Sequence, residues 1–183
     1  MTTSLTSGHR FQRGSTMAKT VPMEWLIATQ GLQGLDEQEF DAIRDFTLLW
    51  GLFEVRAMGT RGSQNEVVAA VGRMALQDPL PEAFTTALAF WRYRYWENGG
   101  PNASFDALHF AVNQHRTDAL AVLSSSNNNP AAVTTALLQI AMRLRNNLFH
   151  GVKWQYRLRD QLQNFKNAND VLMAAVDLSP LAP

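Results

Sequence analysis

PAAVTTALLQIAMRLRNNLFHG, residues 130–151, places an apolar side chain at every helical turn and then closes on Arg, two Asn and His. Val133, Leu137, Ala141, Leu144 and Leu148 recur at intervals of three and four, the spacing of one helical face. Asn129 before Pro130 predicts an N-cap and a first helical position, and Gly151 suits the residue just past the end. At about 100° per residue, Leu138, Met142 and Phe149 widen the buried arc on one side, and Arg145 falls inside it. A guanidinium is always charged, so in an apolar arc it needs a carboxylate, backbone carbonyls, a phosphate or an open cleft. Glu54, beside the apolar stripe of an earlier helix, is the favoured protein partner; the alternative for Glu54 is a solvated edge position.

His150 lies five residues after Arg145, about 140° round an ideal helix. One regular helix therefore does not bring the two side chains together. Asn146 is four residues before His150, shares its face and can orient the imidazole. An antiparallel pairing of two subunits would complete the site, bringing two copies of Arg145 and His150 around one cleft.

The rest of the chain is patterned as helices too, which predicts an all-α fold. Asp36 with Glu39 forms a capping-box signature, and Phe46, Leu49, Trp50, Phe53 and Ala57 follow as a core stripe. Ser63 with Glu66 opens a second helix, expected to run to Gln77 and to be ended by Asp78-Pro79. A third helix, Phe84 to Trp96, stops at Asn98-Gly99-Gly100-Pro101. Its last turns, Phe90-Trp91-Arg92-Tyr93-Arg94-Tyr95-Trp96, interleave aromatics with arginines, as single-stranded nucleic-acid sites do. The favoured reading is the plainer one, with Trp91 and Tyr95, four apart, in the core and Arg92 and Arg94 pointing outward. Short helical pieces are expected between Ser104 and Ser126. His109 and His115 lack metal-site spacing and are read as structural or surface residues.

Composition narrows the function classes. The 183 residues, 46% hydrophobic, suffice for one substantial core. Residues 1–22, rich in Thr, Ser and Gly, are read as a disordered leader, and residues 23–183 as a single domain. Charged residues are 17% of the chain, below the usual share of about 25%, and five Trp and ten Phe add large apolar surfaces, so a partner subunit is expected to cover part of them. Sixteen basic and sixteen acidic residues balance, so a nucleic-acid site has to be a local patch. The absence of cysteine removes disulfides, thiol nucleophiles and thiolate metal sites. No apolar run approaches the roughly 18 residues of a membrane span, and a cytoplasmic protein without cofactor or metal is expected.

Arg145-Asn146-Asn147-Leu148-Phe149-His150-Gly151 closely resembles the motif of the all-helical HEPN domain family: Arg, often followed by Asn, then four to six residues and His. The resemblance extends to Asp45–Glu54 in an early helix and Asn169–Val176 in the last, covering about residues 36–178. Many relatives follow the His with Gly-Gly-Lys, where this chain has Gly151-Val152-Lys153. The departure changes a loop position and keeps the Arg and His.

The resemblance implies a HEPN-like bundle of long core helices with additional short ones, acting as a homodimeric, metal-independent endoribonuclease in toxin or antiphage defence. Arg145, His150 and Asn146 would be catalytic, with Glu54, Asn147, Lys153 and Arg157 as supporting or substrate-binding residues. The chemistry is reasonable from first principles. His150 can move protons near neutral pH and Arg145 can hold the scissile phosphate while the RNA 2′-hydroxyl attacks it, leaving a 2′,3′-cyclic phosphate and a 5′-hydroxyl. Lys153, Arg157 and Arg159 suit phosphate contacts. An antitoxin or other defence partner is expected with RNA. The alternative is a non-catalytic HEPN nucleotide- or RNA-binding or dimerisation module that regulates a partner defence protein.

Overall fold

Helix α1, Glu37–Met58, starts where two side chains satisfy each other's backbone. The Glu39 N–H donates to Asp36 Oδ1 and the Asp36 N–H to Glu39 Oε2, each at 2.9 Å. It ends at Gly59, whose positive φ of 59° lets its N–H return to the Glu54 carbonyl. Phe46, Trp50, Phe53 and Ala57 form its buried stripe, with Leu49 packed at the edge.

The computed structural model describes residues 35–59, 62–149, 158 and 160–180, with 22, 24, 25 and 28 before them. Residues 1–21 of the proposed leader lie outside the described residues, as do His150, Lys153, Arg157 and Arg159. Contacts divide the chain into two units, Met1–Gln33 and Gly34–Pro183. All of the elements named below belong to the second.

Helix α2, Gln64–Arg73, is capped by Ser63. It stops four residues short of the expected Gln77. Met74 turns to extended backbone and buries its side chain, and the Ala75 N–H donates to the Leu178 carbonyl at 3.3 Å. A tertiary tie at the far end of the chain thus replaces another helical turn.

Helix α3, Glu82–Tyr95, runs into a small hairpin of β1, Trp96–Glu97, and β2, Gly100–Pro101, paired antiparallel. Asn98 and Gly99 take φ of 51° and 81° at its turn, the left-handed pair that a two-residue hairpin loop requires. Two short helices follow, α4, Ala103–Asp106, and α5, Asn113–Leu123, then the long α6, Pro130–Phe149, and α7, Leu162–Leu178. Among the described residues the fold is all-α apart from that hairpin. None of its helices is long and apolar enough to cross a membrane.

Helices α1 and α7 pack in parallel. Lys166 Nζ donates to Gln38 Oε1 at 3.2 Å, Asn169 Nδ2 to the Ala42 carbonyl at 3.1 Å, and Phe46 meets Phe165 at 5.0 Å between ring centroids. Helix α6 contacts α2, α3, α5 and α7 and is buried on most sides. That burial includes Gln139, which exchanges two hydrogen bonds with Gln64, at 2.9 Å to the side chain and 2.8 Å to the backbone.

The polar centre of the core is Asn164, 1% exposed on α7. Its Oδ1 accepts from the Trp91 indole and from the Tyr95 hydroxyl, both at 3.1 Å, while its Nδ2 donates to Gln161 Oε1 at 3.0 Å. Asn164→Leu would leave two buried donors without an acceptor. The expected loss is about 2–4 kcal/mol, read as a lower urea midpoint with an unchanged slope.

Candidate functional site

The end of α6 is positioned by both of its termini. At the start, Asn129 Oδ1 accepts the N–H groups of Ala131 at 3.0 Å and Ala132 at 3.3 Å. Near the end, two side chains four residues apart grip the turn after α4. Arg143 Nε donates to the Leu108 carbonyl at 2.8 Å, and Asn147 Nδ2 donates to the Ala107 carbonyl at 2.9 Å. Partial burial lowers the Arg143 pKa from its ordinary value. Asn147, expected as a supporting site residue, is buried, and its amide is committed to this clamp.

Arg145 is about 200° round the helix from Arg143 and is held differently. Its guanidinium carbon lies 5.0 Å from the centroid of the Phe149 ring, one turn on, and one terminal nitrogen donates to Asn146 Oδ1 at 3.2 Å. The Nε is buried without a partner. Phe149, expected to widen the buried arc, is instead more than half exposed and serves as the platform for this cation.

The expected pairing of Arg145 with Glu54 is not formed. Glu54 Oε2 accepts the Trp50 indole N–H at 3.1 Å, an i, i+4 bond within α1 that satisfies a buried donor. Among the described residues, ion pairs join Arg44 to Asp41 and Asp45, and Arg116 to Asp106. Arg145 has no carboxylate partner in that set. The structure thus gathers Arg145, Asn146 and Phe149, turns Asn147 inward and leaves Glu54 apart.

Two roles here escaped sequence reading. Phe149 supports the arginine, a role that its i, i+4 spacing from Arg145 could have signalled. Arg143 acts as a tertiary cap, which no local pattern announces. His115 is buried, with Nε2 3.2 Å from Asn65 Oδ1, and His109 is exposed at a φ of 53°. Comparison of the chain with protein-family models, curated proteins and solved structures finds no match in any of the three.

A half-buried cation without an ion pair contributes little to the fold. Arg145→Gln should lower stability by less than about 1 kcal/mol, the scale of an exposed cation–π contact. Asn147→Ala, which strands the Ala107 carbonyl, should cost about 1–3 kcal/mol. Paired urea titrations would check both, and a larger loss for Arg145→Gln would make that residue structural.

Proposed function

We propose that this chain is a HEPN-type, metal-independent endoribonuclease that acts on RNA in the cytoplasm as a toxin or defence effector. The observation that carries the reading is Arg145: a guanidinium held against Phe149 at the end of α6 and unpaired with any described carboxylate. Such a group suits a phosphate better than it suits a core. Asn146 accepts one of its N–H groups and so fixes its orientation.

In the proposed reaction the RNA 2′-hydroxyl attacks the adjacent phosphorus and the bond to the 5′-oxygen of the next nucleotide breaks. Arg145 stabilises the negative charge that develops on the phosphoryl oxygens. His150 transfers the protons, from the 2′-oxygen or to the departing 5′-oxygen. The ends are a 2′,3′-cyclic phosphate and a 5′-hydroxyl, and DNA, which has no 2′-hydroxyl, resists. Lys153 and Arg157 hold neighbouring phosphates.

Self-association is part of the proposal, because one helix cannot bring Arg145 and His150 to one face. Leu48, Leu52 and Val55, spaced at i, i+4 and i+7 along α1, are 68%, 49% and 62% exposed, and Met173 of α7 is 47% exposed. A cavity of about 560 Å³, lined by Leu48, Leu49, Asp170 and Met173 among others, lies between the two helices. Burial there raises the Asp170 carboxyl pKa above its ordinary value. This apolar face is a surface for a second copy. Leu48→Glu with Leu52→Glu is expected to halve the mass measured by light scattering, and an unchanged mass would remove this face from the dimer.

The activity is tested by incubating mixed RNAs with the purified chain in excess chelator and assigning the new ends by phosphatase and kinase treatment. Wild type should cut RNA and spare DNA, with Arg145→Ala lowering the rate about 100-fold or more and His150→Ala about as much. Cutting that survives both substitutions, or that needs a divalent ion, would sink the mechanism.

A further inference from the structure

The fold divides the aromatic-basic run at the end of α3 into two sets. Trp91 and Tyr95 enter the core and bond to Asn164. Arg92 leaves for the end of α5, donating to the Val122 carbonyl at 2.8 Å and to Asn128 Oδ1 at 2.8 Å. Phe90, Tyr93, Arg94 and Trp96 remain, and with Glu97, Asn102 and Ser104 they line a cavity of about 420 Å³.

The walls of this cavity are fixed. Asn102 Oδ1 accepts the N–H groups of Ser104 and Phe105, and its Nδ2 donates to the Arg94 carbonyl at 2.9 Å. Arg94 donates one N–H to the Asp160 carbonyl at 3.1 Å, and its Nε is buried without a partner. Tyr93 is 88% exposed, an aromatic ring at the rim that the described chain leaves open to solvent. Three aromatic side chains, one guanidinium, a hydroxyl and a carboxylate therefore converge on an open space. Glu97 disfavours a phosphate-only ligand. Its acceptor oxygens match the amino and imino N–H groups of bases, and the rings offer surfaces for their faces.

We propose that this cavity is a base-stacking subsite for single-stranded RNA, gripping the strand several nucleotides away from the Arg145 end of α6. The assignment rests on the ribonuclease reading for its ligand. The two places are mechanically joined, since Arg143 and Asn147 of α6 hold the Leu108 and Ala107 carbonyls, four and three residues beyond Ser104. Those residues add about 6 Å and the width of α6 about 10 Å. A stacked strand at about 3.4 Å per nucleotide covers that span in roughly five or six nucleotides. Such a subsite would favour strands over fragments.

The test measures binding separately from cleavage. In the full chain carrying Arg145→Ala, a fluorescein-labelled ten-nucleotide RNA of mixed sequence is titrated by anisotropy at fixed salt. Adding Tyr93→Ala should weaken binding about 5- to 150-fold, the worth of one stacked base. Tyr93→Phe, which keeps the ring, should bind within about twofold of the parent. As Tyr93 is exposed, neither substitution threatens folding. Equal affinity for parent and Tyr93→Ala overturns the subsite even if the chain cuts RNA. Competition by a nucleoside monophosphate at the same concentration as the RNA would make it a mononucleotide pocket, also overturning it. Tyr93-dependent binding by a chain that never cuts RNA keeps the subsite and removes the nuclease.

Discussion

Two aromatic donors on one helix share a single buried acceptor on another, and the arrangement of the bundle depends on that bond pair. Asn164 cannot rotate its amide without leaving the Trp91 N–H and the Tyr95 O–H unpaired in the core, where desolvated donors are costly. Helix α3 is therefore fixed in register and rotation against α7. Burial pushes the Tyr95 hydroxyl far above its ordinary pKa, so it remains a donor at any ordinary pH. Because Tyr95 is the last residue of α3, the same bond sets where the hairpin starts and where α4 lies. The C-terminal end of α6 is then clamped onto the turn after α4 by Arg143 and Asn147.

The helices were legible where their signals are local. Asp36 with Glu39, Ser63 and Asn129 announce helix starts because capping involves residues within one turn. The stripes of α1 and α6 follow from periodicity alone. What escaped depends on distant groups. Helix α2 ends at Arg73 because Ala75 bonds to Leu178, a partner more than a hundred residues away. Asn98-Gly99 reads as a stop signal, but only the pairing of Trp96 with Pro101 makes it a hairpin.

At the candidate site the sequence singled out Arg145 and misplaced its surroundings. Arg145 stands out in any helical projection as a cation in an apolar arc. Its relief is not the carboxylate of Glu54, which Trp50 already holds within α1, but the face of Phe149. An aromatic residue in that arc reads as core until its own exposure is known. Asn147 shows the reverse. Its neighbours in the motif suggest chemistry, while its amide supports a backbone carbonyl in the interior.

The arginines explain why this difference matters. Arg73 donates to the Ala57 carbonyl near the end of α1, Arg92 to Val122 near the end of α5, Arg143 to Leu108 after α4, and Arg94 to Asp160 before α7. Helix C-termini carry orphan carbonyls and partial negative charge, so a guanidinium arriving from another element satisfies both. Arg73, Arg92 and Arg143 thus act as tertiary caps, while Arg94 ties the end of α3 to Asp160, just before α7. In a chain whose formal charges cancel, a guanidinium bonded to carbonyls keeps its charge but has fewer donors left for an outside ligand. The attraction for an anion then depends on particular groups instead of on net charge. Arg145 caps no described carbonyl, and its contacts, an aromatic face and a neighbouring amide, orient a guanidinium without neutralising it. That is the arrangement in which a cation keeps its charge available to a phosphate.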